Sequence, residues 1–170
     1  MRRDGAGDAA NLHDADNCYP WFGACAGSGA ECRIDADCGD QGPCAAADCQ
    51  TAAPAGLTIF KWVERLNRER FAGYEDWRLP DSPELYSVVN PMEEGDAATR
   101  AAFNGPACGA DCGDLRDPAC SCTHPGLYWA VPRGGSAPDD SWMGFFYCND
   151  NLFLDLKTNR FRVRAVRGGG

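Results

Sequence analysis

Apolar and polar positions follow two different rhythms along this chain, separated by stretches with neither. Residues 57–72, LTIFKWVERLNRERFA, set Ile59, Phe60, Val63, Leu66, Arg70 and Phe71 near i, i+3, i+4 spacing, the period of an amphipathic helix. Glu64 precedes Arg68 by four residues, a favourable pair, and Gly73 is placed to stop the helix. The next stretch, DWRLP, is aromatic and ends on Pro80, which bars helix there. A brief strand is expected, with Trp77 and Leu79 buried against the first helix and Arg78 pointing away. Asp81 and Glu84 form a D-x-x-E capping box, so a second short helix starts at residue 82 and turns Leu85, Val88 and Val89 inward.

The second rhythm belongs to the C-terminal part. GLYWAV, SWMGFFYC, NLFLDLK and RFRVRAV are short runs rich in aromatic and β-branched residues, divided by RGGSAPDD, NDN and KTN. They predict antiparallel strands. In the last run Phe161, Val163 and Ala165 alternate with Arg160, Arg162 and Arg164, which predicts one buried face and one wet, basic face. The order of elements is that of an α+β domain with helices packed on one side of a small sheet.

With 170 residues the chain is one domain's worth, here read as a single domain over 1–170. Its parts are a Cys-rich loop insert at 18–49, a helical part at 57–90, a second Cys-rich loop at 104–126 and strands over 127–169. No run is long and apolar enough for a membrane span, and the first residues lack the apolar core of a secretory leader. The net charge of −9 is unevenly spread: residues 1–56 hold nine acids against three arginines. Nucleic acid and anionic membrane are therefore excluded as partners, since both require a basic footprint.

Eleven cysteines change the picture most. Such density fits an oxidising compartment, so the chain is expected to be extracellular or of the cell envelope and to lack its leader. Cys18, Cys25, Cys32, Cys38, Cys44 and Cys49 are expected to pair mostly among themselves, in an insert with no core of its own. Cys108, Cys112, Cys120 and Cys122 are expected to form two disulfides, with connectivity open; a zinc knot that includes His124 is the other reading. Cys148 is left over, as a buried, inert thiol. Asp35, Asp37 and Asp40 offer oxygen ligands of the kind calcium takes, but without the glycine turn and distal Glu of a calcium loop they read as solvated acids. No other cofactor is expected. His13 and His124 neighbour no nucleophile motif.

FAGYEDWRLPDSPEL, then YWA after a Cys-rich loop, then WMGFF, then KTNRFRVRAVRGG, occur in an order that resembles the Lcl C-terminal domain family, named after a bacterial collagen-like adhesin. The resemblance covers residues 57–169 and extends to GDAANLHDADNCYPW. It implies a C-type lectin-like fold, in which two helices flank a small antiparallel sheet, N- and C-terminal strands pair, and long loops, here disulfide-stapled, carry binding. The family's first strand, with its G-L-x-W segment, is absent before residue 8, so the C-terminal strand is expected to lack a partner. Formylglycine-generating enzymes share this broader fold but need two C-terminal cysteines for copper, and only Cys148 is present, so no enzyme is expected.

The family's members are mostly exported binding modules, which makes a non-enzymatic recognition or adhesion domain the leading reading. Its expected partner is a cell-surface glycan or protein, with a sulfated polysaccharide disfavoured by the acidic charge. The candidate contacts are Ser141, Trp142, Tyr147, Asn149, Asp150 and Asn151, where a rigid ring, amides and a carboxylate coincide around the FFY turn. Two alternatives stand beside it: a structural, disulfide-stapled module of a larger envelope protein, and a diversified receptor of a retroelement system.

Overall fold

The computed structural model describes residues 17–45, 57–88, 127–131, 140–145, 153–156 and 159–168. In chain order it forms β1 (Cys18–Pro20), β2 (Gly23–Cys25), β3 (Glu31–Cys32), a 3-10 helix (Asp35–Gln41) and β4 (Cys44–Ala45). Then come α1 (Ile59–Arg68), a second 3-10 turn (Phe71–Gly73), β5 (Trp77–Arg78) and α2 (Ser82–Tyr86). The remaining strands are β6 (Leu127–Ala130), β7 (Asp140–Phe145), β8 (Phe153–Leu156), β9 (Arg160–Arg162) and β10 (Val166–Arg167). The α+β class holds.

Five strands make the main sheet, in the order β1-β9-β6-β7-β8. The expectation that the C-terminal strand lacks a partner is corrected, because Tyr19 pairs with Phe161 and the whole of β1 lies antiparallel to β9. The sheet is also mixed rather than purely antiparallel: β9 runs parallel to β6, with Tyr128 opposite Arg162. Because β1 and β6 run in opposite directions, a strand inserted between them can be antiparallel to one only by being parallel to the other.

Side chains of a strand alternate between faces. Trp129 therefore enters one core, with Tyr19, Trp21, Ile59, Trp62, Leu66, Phe161 and Val163, while its neighbours Tyr128 and Ala130 enter another with Leu85 and Val88. The first core brings in α1 and the second brings in α2, so the helices cover opposite faces rather than one side. This also corrects the wet basic face. Arg164 is only 7% exposed, because the chain leaves the sheet after Arg162 and strict alternation ends there.

At the centre, the fully buried Trp129 indole donates Nε1–H to the carbonyl of Tyr19 at 2.6 Å. Its ring meets Phe161 edge-on at 4.6 Å and Trp21 at 5.3 Å. Three segments far apart in the chain thus meet on one side chain.

Helix α1 is shorter than its pattern, and its inner stripe is Ile59, Trp62 and Leu66, with Phe60 and Val63 only partly buried. The i,i+4 ion pair seen along it joins Arg65 to Glu69 at 2.6 Å. The helix ends at Arg68, before Gly73, since Arg70 and Ala72 both adopt left-handed backbone, with φ of 50° and 52°. Leu79 is buried as expected, whereas Trp77 is only partly so. The main chain of Trp77 is held by Asn67, which accepts its N–H at 2.7 Å and donates to its carbonyl at 2.9 Å, as a neighbouring strand would. The Trp77 indole donates to the Phe71 carbonyl at 3.0 Å, closing the turn.

Helix α2 begins as its sequence requires. The Glu84 amide donates to Asp81 at 2.8 Å, and the Asp81 amide donates to Glu84 at 2.9 Å. Leu85 and Val88 are buried, and Val89 lies outside the described residues.

Replacement of Trp129 by Ala is expected to cost about 3–5 kcal/mol, and Trp77→Ala measurably less because its ring is half-buried. Urea unfolding of both variants checks this. A smaller loss at Trp129 than at Trp77 would contradict the placement of the central core.

Candidate functional site

The candidate contacts near the FFY turn fall partly on the sheet. Ser141 and Trp142 are the second and third residues of β7, opposite Asp155 and Leu154 on β8, and Trp142 is also opposite Ala130 on β6. Ser141 and Trp142 thus stand near the start of β7, the strand before the FFY turn, as expected. Tyr147, Asn149, Asp150 and Asn151, in the segment that joins β7 to β8, lie outside the described residues, as does Cys148. The same holds for Cys49, Cys108, Cys112, Cys120, Cys122, His13 and His124.

The first Cys-rich segment is organised differently from a simple loop. Its opening residues Tyr19 and Trp21 belong to the main core, and β2, β3 and β4 form a three-stranded sheet of their own in the order β3-β2-β4. Disulfides Cys25–Cys38 and Cys32–Cys44 interleave over it, with Cα atoms 5.5 and 5.8 Å apart, and Cys18 is also disulfide-bonded. The four half-cystines are buried together and make a small core, contrary to the expectation of none. Strands of two or three residues leave no readable period, and cysteine sulfur serves as the apolar filling. Closing loops of this length supplies about 3 kcal/mol per bridge.

The acids of this segment are committed to the protein. Asp37 accepts from the amides of Arg33 and Ile34 at 2.7 and 3.1 Å. Asp35 accepts from the Cys44 amide and from the Lys61 ammonium, both at 2.8 Å. The Lys61 hydrogen bond, then the Cys44 amide, hold the Asp35 carboxyl below its ordinary value of 3.8. Asp40 lies exposed on the same 3-10 helix. Two of the three proposed calcium ligands thus already accept from N–H donors.

A further surface feature escaped the sequence reading. Tyr74 is 44% exposed, with the Arg167 guanidinium 3.5 Å from its ring centroid and Trp77 edge-on at 6.5 Å. Asp76 pairs with Arg167 at 3.3 Å. These residues meet because β10 pairs with β5, Arg167 opposite Trp77. Only that long-range pairing could have revealed them. One residue along, Arg78 grips Glu84 through both Nη atoms, at 2.7 and 2.6 Å, and donates to the Gly168 carbonyl from Nε at 3.0 Å. The junction therefore clamps the start of α2 to the C-terminal strand.

The family model described as the Lcl C-terminal domain matches residues 21–167. The chain belongs to this family. The family is a non-enzymatic, adhesin-type one, which suggests an adhesin-like domain here. No curated protein and no solved structure matches it. In this Lcl C-terminal domain the matched span takes in the disulfide-linked lobe, both helices and the second core, and leaves out β1, whose Tyr19 belongs to the first core. Among the described residues no helix is long and apolar enough to cross a membrane.

Two outcomes follow from these contacts. A carboxylate whose folded pKa is depressed adds stability that is complete above its unfolded value and is lost as pH falls through the folded one. Thermal melts should therefore drop below about pH 4, and Asp35→Asn should show a shallower drop than the parent. Parallel curves would separate Asp35 from acid stability. At the junction, Arg78→Lys keeps the charge but loses the two-pronged grip, and should lower stability by about 1–2 kcal/mol in denaturant unfolding.

Proposed function

We propose that this chain is the recognition domain of an exported adhesin-type protein, in a C-type lectin-like arrangement, binding a cell-surface glycan or protein ligand. The observation that carries the proposal is the family match over residues 21–167. The pairing of β1 with β9 and the two helices on opposite faces of the sheet support the lectin-like arrangement. The disulfides support an extracellular or envelope setting.

The aromatic inventory supports a ligand site around the β7–β8 connection. Of the five tryptophans, Trp21, Trp62 and Trp129 are buried in the main core and Trp77 is packed against it. Trp142 and Tyr147 are the candidate rings of the same stretch of sequence as Ser141, Asn149, Asp150 and Asn151, and together these residues offer stacking surface, amide donors and a carboxylate. That combination suits a small polar ligand or a protein epitope. The net charge of −9 disfavours a polyanion.

A glycan array and a panel of surface proteins, probed with the folded domain, test the reading. Replacing Asn149, Asp150 and Asn151 together by Ala should weaken the selected ligand at least about tenfold, equivalent to about 1.4 kcal/mol, while the melting temperature stays the same. Unchanged affinity in the folded variant would move the site elsewhere. Failure to retain any ligand would favour a structural, disulfide-stapled module.

A further inference from the structure

Three of the four half-cystines of the first lobe have the spacing of metal ligands, and the fourth is bonded to one of them. The Sγ atoms of Cys25, Cys32 and Cys38 all lie within 4.8 Å of one another, and that of Cys44 is bonded to Cys32. All four residues are buried. Tetrahedral zinc with thiolates at about 2.3 Å needs its sulfurs roughly 3.8 Å apart. Opening Cys25–Cys38 lets its two sulfurs part toward that spacing, and opening Cys32–Cys44 frees the fourth sulfur.

The scaffold that gathers them does not depend on the bridges alone. Cys25 is opposite Cys44, and Gly23 opposite Cys32, in the lobe's sheet. The Cys25 amide donates to Ala30 at 2.8 Å and the Ala26 amide to Pro43 at 3.1 Å. The lobe is tied to α1 by the Thr58 hydroxyl, which donates to the Arg33 carbonyl, and by Lys61, which donates to the Cys44 carbonyl at 2.8 Å. The Arg33 guanidinium lies 5.3 Å from the ring centroids of both Phe22 and Phe60.

We propose that the dithiol form of this lobe is a zinc site, with Cys25, Cys32, Cys38 and Cys44 as its thiolate ligands. The lobe then has two mutually exclusive closures, a pair of disulfides or one zinc ion. In the exchange each disulfide accepts two electrons and two protons from a dithiol reductant, which is itself oxidised to a disulfide. The four thiols give up four protons as they bind one Zn²⁺, so uptake weakens as pH falls.

The full chain, reduced without air by a phosphine that is converted to its oxide, is incubated with or without zinc. It is then alkylated with iodoacetamide, and each cysteine is read by peptide mass spectrometry. Zinc should slow labelling of Cys25, Cys32, Cys38 and Cys44 as a set, by about tenfold or more, because a metal-held thiolate is withdrawn from the alkylating agent. Cys25→Ser/Cys38→Ser, reduced in the same way, should bind one zinc fewer per chain by native mass spectrometry. Equal labelling of the four with and without zinc, or protection confined to cysteines elsewhere in the chain, overturns the proposal. The parent chain gives this answer by itself, so it does not depend on the variant folding.

Discussion

The structure depends on one buried indole. Trp129 closes its hydrogen bond on the carbonyl of Tyr19, 110 residues earlier in the chain, and packs its ring against Phe161 on the strand between them. A buried indole N–H without an acceptor would lose free energy of the order of 1–3 kcal/mol, so β1 must lie where it does. Once β1 is there, β9 has a partner on each side. The sheet no longer ends at the C-terminal strand, and the ring of Tyr19 faces Trp62 of α1 at 5.7 Å.

Around that centre the irregular segments are positioned by polar side chains that stand in for secondary structure. Asn67 treats the backbone of Trp77 as a strand partner, Arg78 joins the α2 capping box to the C-terminal strand, and Thr58 both caps α1 and reaches the Cys-rich lobe. Apart from the Arg78–Glu84 ion pair, each bond satisfies a main-chain group that a short strand or helix end would otherwise leave unpaired. This is how a chain with so many turns keeps definite angles between its elements. It also explains the density of GYEDWRLPDSPEL, which has to meet α1, α2, β10 and the end of β6 within thirteen residues.

Function in such a domain belongs to what the scaffold leaves uncommitted. Tyr128 and Trp129 of β6 fill opposite cores, so the centre of the sheet is packed on both faces. On the proposed reading, recognition of a partner falls to segments that link strands, where insertions and changes of side chain leave the packing intact. The Cys-rich lobe is a separate device. It is closed by its own small core and fastened to α1 through Lys61, Thr58 and Arg33, so its covalent state can change without rewriting the main sheet.

By itself the sequence determined the local elements. The 3.6-residue rhythm placed α1, the Asp81 and Glu84 pair placed the start of α2 at the correct residue, and aromatic and β-branched runs marked the C-terminal strands, because each signal is contained in a few neighbouring positions. The motif order also named the family. Of the candidate ligand site only Ser141 and Trp142 fall among the described residues, both in β7 as part of a readable aromatic run. Tertiary structure alone decided that β9 enters between β1 and β6, that the helices take opposite faces, that Arg164 turns inward, and that Cys25 joins Cys38 while Cys32 joins Cys44. The first three outcomes rest on contacts across many tens of residues and the disulfides on a choice among cysteines 12 and 13 residues apart, all set by which buried groups can satisfy one another, and no local pattern of apolar and polar positions carries that information.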